Sequence, residues 1–296
     1  MDLIRTPDDR FEKLVDFPFK PNYLEVDGIR IHYLDEGPKD SEVILLMHGE
    51  PSWCFLYRYM IPPLIEANFR VVVPDLVGFG RSDKPTKQED HTYAKHVNWM
   101  TRWLATLDLY NITMFCQDWG SLIGLRLAIE NQERFSRIVL ANGGLPTGVG
   151  LMSKAFMKWR EFSRTSKEFD VGRIVQNGTT TELSEEVLKG YYAPFPDDSY
   201  LAGARIMPSL VPISRDDPEH NANKKAVKSY GKWIKPFLTS FSDSDPITRG
   251  GEMLWINHVP GARDLEHPKI KNAGHFLQED KGPEISQLII EFIEKN

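Results

Sequence analysis

The stretch Ile112-Thr113-Met114-Phe115-Cys116-Gln117-Asp118-Trp119-Gly120 decides the fold of this chain. It opens with an apolar run of strand length and leads, through a polar step, into a second apolar segment at residues 121–128. A short apolar run is typical of a buried strand, and the segment after it has a helical pattern. The sequence therefore predicts a strand, a sharp turn that carries Asp118, and a helix.

Strand-like and helix-like segments also alternate elsewhere in the chain. Apolar runs of strand length occupy Val43–Met47, Arg70–Val73 and Arg137–Leu140, and the segments Thr92–Leu109 and Leu122–Asn131 have helical patterns. Continuous apolar strands separated by helices indicate a parallel sheet that is covered on both faces. We therefore assign the chain to the α/β class, with a mostly parallel sheet flanked by helices.

A hairpin is predicted at the start of the sheet and a helix at the end of the chain. Tyr23–Val26 and Ile29–Tyr33 alternate apolar and polar residues on either side of Asp27-Gly28, a dipeptide that favours a hairpin turn. The closing helix is predicted from Pro283 to Lys295.

An insertion interrupts the sheet pattern in the second half of the chain. Residues 146–220 have the pattern of helices and loops and are rich in aromatic side chains. Sheet pattern returns at Pro236–Phe241 and once more near residues 269–271. An insertion between strands of an open sheet lies over their carboxyl ends, where ligands bind. We therefore expect a core domain of residues 1–145 and 221–296 and a helical cap of residues 146–220.

The composition is that of an ordinary globular protein. Of its 296 residues 41% are hydrophobic and 26% are charged, which excludes the disordered and fibrous classes. The formal net charge is -6, the pI is near 5.8, and the lysines and arginines are scattered, so no basic field attracts phosphates. We expect no nucleic-acid partner.

The apolar segments of the chain predict where the protein is located, because none has the pattern of a signal peptide or of a membrane span. The first residues contain no apolar core of a signal peptide, and no segment approaches the roughly 18 consecutive apolar residues that a bilayer span requires. We expect a soluble, cytoplasmic monomer with no membrane partner. The only two cysteines, Cys54 and Cys116, indicate neither redox nor metal chemistry, because a small buried thiol is a common core residue.

Asp118 has two interpretations. An aspartate before a helix commonly caps the free N–H groups of the first turn, which is a purely structural role. In the motif G-x-S-x-G, however, the same strand-to-helix turn carries an exposed serine nucleophile. An aspartate that attacks saturated carbon forms an ester that water can cleave, whereas a serine would leave a stable ether. The residue type therefore indicates alkyl rather than acyl chemistry, with helix capping as the alternative.

Two backbone amides are candidates for an oxyanion hole. The loop His48-Gly49-Glu50-Pro51-Ser52-Trp53 follows the first central strand and is tight enough to aim the Glu50 N–H into the site. The Trp119 N–H, next to the predicted nucleophile, would supply the second donor.

A covalent ester also needs a base to activate water and an acid to orient that base. His275 follows the last predicted strand and precedes the final helix, so the chain order nucleophile, acid, histidine favours it. For the acid we choose Asp245 over Asp243, because the loop needs length to reach across the sheet end; turn formation would explain either residue. The weaker candidates for the base are His258 and His267.

In five motifs the chain resembles the haloalkane dehalogenases, within the alpha/beta-hydrolase superfamily. The resemblance spans most of the chain, in the family order. Three of its motifs are shared with epoxide hydrolases, but those enzymes usually carry histidine where this chain has Gln117. The matching motifs are HGEPSW (48–53), DLVGFGRSDKP (75–85), QDWG (117–120), SDSDP (242–246) and AGHFLQED (273–280).

The resemblance implies a halide site. A departing halide in an apolar pocket needs hydrogen bonds, because a buried unpaired anion is costly. In the dehalogenase subfamily with glutamate at the position of Glu50, two indoles bind the halide, and they match Trp119 and Trp159. The alternative for Trp159 is a cap aromatic at helical spacing with Phe156 and Phe162.

The resemblance also implies the rest of the site. Asp118 displaces the halide, His275 oriented by Asp245 activates water, and the small halogenated hydrocarbon is bound by the apolar residues Phe156, Pro208, Val211 and Ile247. Trp159 at the cap entrance favours short chains. We expect no metal and no organic cofactor, since His48-x-Glu50 has no third ligand at a recognisable spacing. The rivals are an epoxide hydrolase with the same triad and two cap tyrosines, and a non-catalytic ligand receptor.

Overall fold

The computed structural model describes residues 1–296, which form nine strands and ten α-helices. The strands are β1 (Leu3–Ile4), β2 (Asn22–Val26), β3 (Ile29–Glu36), β4 (Val43–Met47), β5 (Arg70–Pro74), β6 (Lys84–Pro85), β7 (Ile112–Gln117), β8 (Phe135–Ala141) and β9 (Phe237–Thr239). The helices are α1 (Ile61–Glu66), α2 (Tyr93–Leu107), α3 (Trp119–Glu130), α4 (Lys154–Thr165), α5 (Val171–Asn177), α6 (Glu185–Tyr192), α7 (Ala202–Leu210), α8 (His220–Tyr230), α9 (Glu252–His258) and α10 (Leu277–Lys295).

Seven strands form one sheet in the order β2-β3-β5-β4-β7-β8-β9. The pairs from β5 to β9 are parallel, and β2 and β3 extend the sheet antiparallel at one edge. Every residue of β4 and β7 is buried, as expected for central strands with helices on both faces. The α/β class and the mostly parallel sheet predicted from the sequence are confirmed.

The register of the central strands brings their carboxyl ends to one level. Met47 pairs with Cys116, and Gln117 pairs with Ala141. The residues that follow β4, β7 and β8 therefore emerge side by side at one edge of the sheet. In an open α/β sheet this edge is where ligands bind.

The predicted hairpin is confirmed, whereas the last strands are shorter than expected. β2 and β3 pair around Asp27 and Gly28, which have φ of 54° and 77°, the two positive values of a type I′ turn. The strand expected near residues 269–271 is reduced to a single bridge between Ser242 and Ile270.

The closing helix begins earlier than predicted. α10 starts at Leu277, six residues before Pro283, and contains a kink at Lys281, whose φ of -143° is not helical. Proline lacks an N–H and fits the first turn of a helix, so Pro283 begins the second segment of a kinked helix rather than the helix itself.

The chain between β8 and β9 passes through α4 to α8. One cavity is lined both by residues of α4, α5 and α7 and by residues at the ends of β7 and β8, so these helices face the strand ends across it. None of the ten helices combines the length and the apolar character that crossing a bilayer would require.

A buried polar cluster connects helix α6 with the segment that follows β4 and with α10. The Trp53 indole donates to the Gly190 carbonyl at 2.9 Å. Arg58 forms a bidentate ion pair with Glu279 of α10, and the Tyr191 hydroxyl donates to the same carboxylate. All four side chains of this cluster are buried, so the cluster fixes α6 against the loop after β4 and against α10.

Candidate active site

The predicted nucleophile Asp118 lies at a strained turn between β7 and α3. Its φ of 49° and ψ of -130° place it in a region that non-glycine residues adopt at an energetic cost. Its side chain makes no capping hydrogen bond to α3. One carboxylate oxygen instead accepts the Glu50 N–H at 2.7 Å. The helix-cap role that the sequence left open is thus not adopted.

Two glycines allow the loops around Asp118 to approach. A Cβ at Gly49 would lie 2.2 Å from Asp118 Oδ1, and a Cβ at Gly120 would lie 2.0 Å from the Met47 carbonyl oxygen. Both distances are far below van der Waals contact, so any side chain at either position would push the Glu50 loop away from the carboxylate.

The predicted base and acid lie together on the other side of Asp118. His275 Nε2 is 3.4 Å from Asp118 Oδ2, and His275 Nδ1 is 3.0 Å from Asp245 Oδ2. Asp243 instead contacts Ser244, at the surface. The alternatives His258 and His267 hydrogen-bond backbone carbonyls elsewhere. The structure therefore brings Asp118, His275 and Asp245 together in the order that the sequence predicted.

Asp245 is held by its own loop. Its carboxylate accepts the Ile247 N–H at 2.8 Å, the Thr248 N–H at 3.3 Å and the Thr248 hydroxyl. Burial raises the pKa of Asp245, but His275 and these donors outweigh it, and the pKa falls to about 2. The Thr248 contribution was missed from the sequence, where nothing distinguishes this threonine.

The neighbouring carboxylates stabilise the protonated form of His275. Burial lowers its pKa, but the Asp245 and Asp118 carboxylates outweigh burial and raise the pKa to about 10. With both carboxylates ionised, the imidazole is therefore protonated at neutral pH.

The surroundings of Glu50 disfavour the ionised form of its carboxyl. Burial, and next the charge of Asp118, raise the pKa of its carboxyl well above the ordinary value, while His275 and the Trp159 indole oppose the shift. Both influences favour the protonated carboxyl.

A cavity of about 590 Å³ opens above the Asp118 carboxylate. It is lined by Asp118, Glu50 and His275, while Asp245 lies behind His275 and does not line it. All four predicted apolar pocket residues line it: Phe156, Pro208, Val211 and Ile247. Among the apolar lining residues that the sequence did not single out are Leu122, Leu145, Met152, Ile174, Leu254 and Phe276.

Both candidate halide-binding indoles line this cavity. Trp119 packs edge-on against Tyr93 at 5.0 Å between ring centroids. Trp159 stacks on Phe162 at 5.7 Å and also lines the cavity, so packing in α4 and exposure to the cavity are compatible.

The candidate metal-binding residues are engaged in loop structure. His48 Nε2 accepts the Leu76 N–H at 2.9 Å and Nδ1 contacts the Gly49 carbonyl, so neither ring nitrogen is free. His32, Cys54 and Asp75 lie close together, but the Asp75 carboxylate already accepts the backbone N–H groups of Cys54 and Arg81 and contacts His32. We assign both groups to loop stabilisation.

The comparisons with known proteins agree with this architecture. A family model of the alpha/beta hydrolase fold matches residues 42–282. The chain is 52% identical to a haloalkane dehalogenase of Psychrobacter cryohalolentis, covering 100% of this chain and 99% of that protein. It is 51% identical to a haloalkane dehalogenase of Mycolicibacterium paratuberculosis, covering 98% of each.

A solved structure is similar over the same extent. The tetrameric haloalkane dehalogenase of Paraglaciecola agarilytica is 34% identical and superposes with a TM-score of 0.90, covering 97% of both chains. Full-length identity at this level shows more than a shared fold. The chain belongs to the haloalkane dehalogenase family of the alpha/beta-hydrolases.

Proposed function

We propose that this protein hydrolyses haloalkanes to an alcohol and a halide ion through an alkyl ester on Asp118. The observation that carries the proposal is the position of one carboxylate, Asp118, between the Glu50 N–H, the His275 ring and a cavity lined by two indoles. A serine at this turn would favour acyl transfer, whereas a carboxylate favours displacement at carbon.

In the first step an Asp118 oxygen attacks the halogen-bearing carbon. The new C–O bond forms as the carbon–halogen bond breaks, and the electron pair leaves with the halide. The Trp119 and Trp159 N–H groups stabilise that anion, which would otherwise lose its hydration without replacement.

In the second step water cleaves the ester. Alkylation removes the charge of Asp118, one of the two carboxylates that raise the pKa of His275. The pKa of His275 therefore falls, and its proton is released to solvent. His275, oriented by Asp245, then takes a proton from water as the water attacks the ester carbonyl carbon. The Glu50 and Trp119 N–H groups stabilise the oxyanion. As it collapses, the bond to the alkyl oxygen breaks, the leaving alkoxide takes the proton from His275, and the Asp118 carboxylic acid gives its own proton to the ring, which regenerates the carboxylate.

Residues 146–220 act in this scheme as a cap. The proposal is supported by Phe156, Trp159, Pro208 and Val211, which face the strand ends across the cavity. We also propose that the enzyme works as a cytoplasmic monomer without a metal or organic cofactor. The tetrameric relative makes the oligomeric state the first quantity to measure, by light scattering of the purified protein.

The cavity does not contain the hydrogen-bond donors that the rival epoxide hydrolase activity would need. It would need tyrosine hydroxyls near the epoxide oxygen, but no tyrosine lines the cavity. Tyr191 donates to Glu279 and Tyr192 donates to Asp170. The epoxide reaction is therefore less well supported than dehalogenation.

Halide and diol release separate the candidate activities. The protein is incubated with 1,2-dibromoethane and, separately, with styrene oxide. We expect bromide from the first and no diol from the second; diol without bromide would overturn the proposal, and binding without turnover would favour the receptor. A series of 1-bromoalkanes then tests the preference for short chains, because a cavity of 590 Å³ also has room for longer ones.

A further inference from the structure

Three buried polar side chains form a row that ends at His275. They are Tyr57, Gln278 and Gln117, all fully buried, and none of them lines the cavity. Gln117 belongs to the QDWG motif and Gln278 to the AGHFLQED motif, yet the proposed mechanism gives neither side chain a role. Burying two amides away from water has a cost unless their hydrogen bonds are specific.

Gln278 is the hydrogen-bond donor to both of its neighbours in this row, Tyr57 and Gln117. The Tyr57 hydroxyl donates to the Met47 carbonyl at 2.8 Å, which leaves its oxygen free to accept from Gln278 Nε2 at 3.5 Å. Gln278 Nε2 also lies 3.4 Å from Gln117 Oε1. The two longer contacts are weak individually, but they place donors only beside acceptors.

Gln117 directs its amide nitrogen at His275. Nε2 of Gln117 donates to the His275 carbonyl oxygen at 3.2 Å and lies 3.1 Å from His275 Nε2. Exchanging the amide oxygen and nitrogen would set two acceptors against each other at that carbonyl and two donors against each other at Gln278. The hydrogen-bond network therefore assigns the orientation of the amide.

We propose that Gln117 and Gln278 are positioning residues that hold the His275 ring in place and favour its neutral form during ester hydrolysis. A protonated Nε2 would face the Gln117 N–H, donor against donor, whereas the neutral ring with its hydrogen on Nδ1 presents a lone pair there. The inference rests on the proposed function, because a base is needed only in its second step.

The charges around His275 explain when this preference acts. The titratable groups that face it are Asp118, Asp245 and Glu50, and Tyr57 stands behind the two amides. In the free enzyme the two aspartates keep the ring protonated against the preference of Gln117. Once Asp118 is an ester, one of those charges is gone, and the Gln117 N–H then favours the form that can accept a proton from water.

The test compares Gln117→Met with the wild type and with Gln278→Met. Methionine keeps the length of the side chain and removes the donors. With 1,2-dibromoethane we expect the first equivalent of bromide to appear at a rate within about threefold of wild type, because alkylation does not use the base. Steady-state turnover at pH 7 should fall roughly tenfold, with the acidic limb of the kcat profile shifted upward by about one pH unit, since a hydrogen bond to this ring is worth that much. Gln278→Met, one step removed, should give a smaller shift in the same direction.

Gln287→Met provides the matched control, since Gln287 is an exposed glutamine of α10 whose side chain hydrogen-bonds Glu291. It should leave the burst and the pH profile unchanged. An unshifted profile in Gln117→Met, or equal slowing of the burst and of steady-state turnover, would overturn the positioning role. Absence of bromide release by the wild type would instead overturn the proposed function, so the two failures are distinguishable.

Discussion

Asp118 Oδ2 lies 3.4 Å from Nε2 of His275, so the predicted nucleophile and the predicted base are direct neighbours. The contact couples their charges: the ionised carboxylate favours the protonated ring, and loss of that charge favours the neutral ring. In the proposed mechanism, the chemical state of Asp118 therefore determines whether His275 can act as a base.

Replacing the base should stop the reaction at the ester. In His275→Gln, Asp118 can still displace bromide from 1,2-dibromoethane, but ester hydrolysis should slow by roughly 10²- to 10⁴-fold. We expect about one equivalent of bromide per enzyme and a covalent adduct on intact-protein mass spectrometry. Asp118→Asn should give neither, and an unmodified His275→Gln protein after incubation would contradict the scheme.

The same ion pair predicts how stability depends on pH. The pKa of His275 is raised from 6.5 to about 10, so its contribution is complete below pH 6.5 and is lost as the pH rises toward 10. The pKa of Asp245 is lowered to about 2, so its contribution is present above pH 3.8 and is lost on acidification toward pH 2. Between pH 7 and pH 10 the wild-type Tm should fall more steeply than that of His275→Gln, by about 3 °C or more. Parallel Tm profiles would refute the coupling.

The two indoles should matter through their N–H groups. Trp119→Phe and Trp159→Phe keep an aromatic ring but remove a donor, and each should weaken bromide binding roughly tenfold, the worth of a hydrogen bond to a charged group. Isothermal titration calorimetry measures the change without relying on tryptophan fluorescence. Trp233→Phe serves as the control, because the Trp233 indole nitrogen is buried without a partner. Unchanged affinity in both site variants would remove the indoles from the halide site.

Glu50 should act through its backbone and not through a charge. Burial and Asp118 raise the pKa of its carboxyl and so favour the protonated form, and the isosteric Glu50→Gln variant keeps the N–H that Asp118 accepts. Turnover and bromide affinity at pH 7 should stay within about threefold of wild type. A marked gain in bromide affinity would show instead that the wild-type side chain carries a negative charge beside the halide.

The buried ion pair between Arg58 and Glu279 predicts a loss of stability. Glu279→Gln leaves the Arg58 guanidinium buried without its counter-charge, which costs about 3 kcal/mol or more and lowers Tm by roughly 5 °C or more. Glu291→Gln, at an exposed position on the same helix, should change the free energy of unfolding by less than about 0.5 kcal/mol. Equal Tm values for the two variants would show that the buried cluster does not fix α6.

The sequence predicted those features that depend on local pattern or on chain order. The alternation around Asp27-Gly28 located the hairpin, and the order of Asp118, Asp245 and His275 placed three residues that meet in the fold. It missed the start of α10, because Pro283 lies within a kinked helix.

Long-range polar contacts were beyond that approach. Gln278 meets Tyr57 across 221 positions, and nothing near either residue indicates the other. Thr248 reaches Asp245 within three positions, but short polar loops form such turns for purely local reasons. The contact between Gln278 and Tyr57 follows from packing, which no periodicity in the chain encodes.

Asp118 immediately precedes α3, and its side chain accepts no hydrogen bond from the N–H groups of that helix. The helix therefore loses no capping hydrogen bond if that carboxylate is esterified. Had Asp118 served as both cap and nucleophile, every catalytic cycle would have loosened and restored the first turn of a buried helix. In the proposed mechanism, the covalent intermediate on Asp118 can therefore form and be hydrolysed without breaking a capping hydrogen bond of α3.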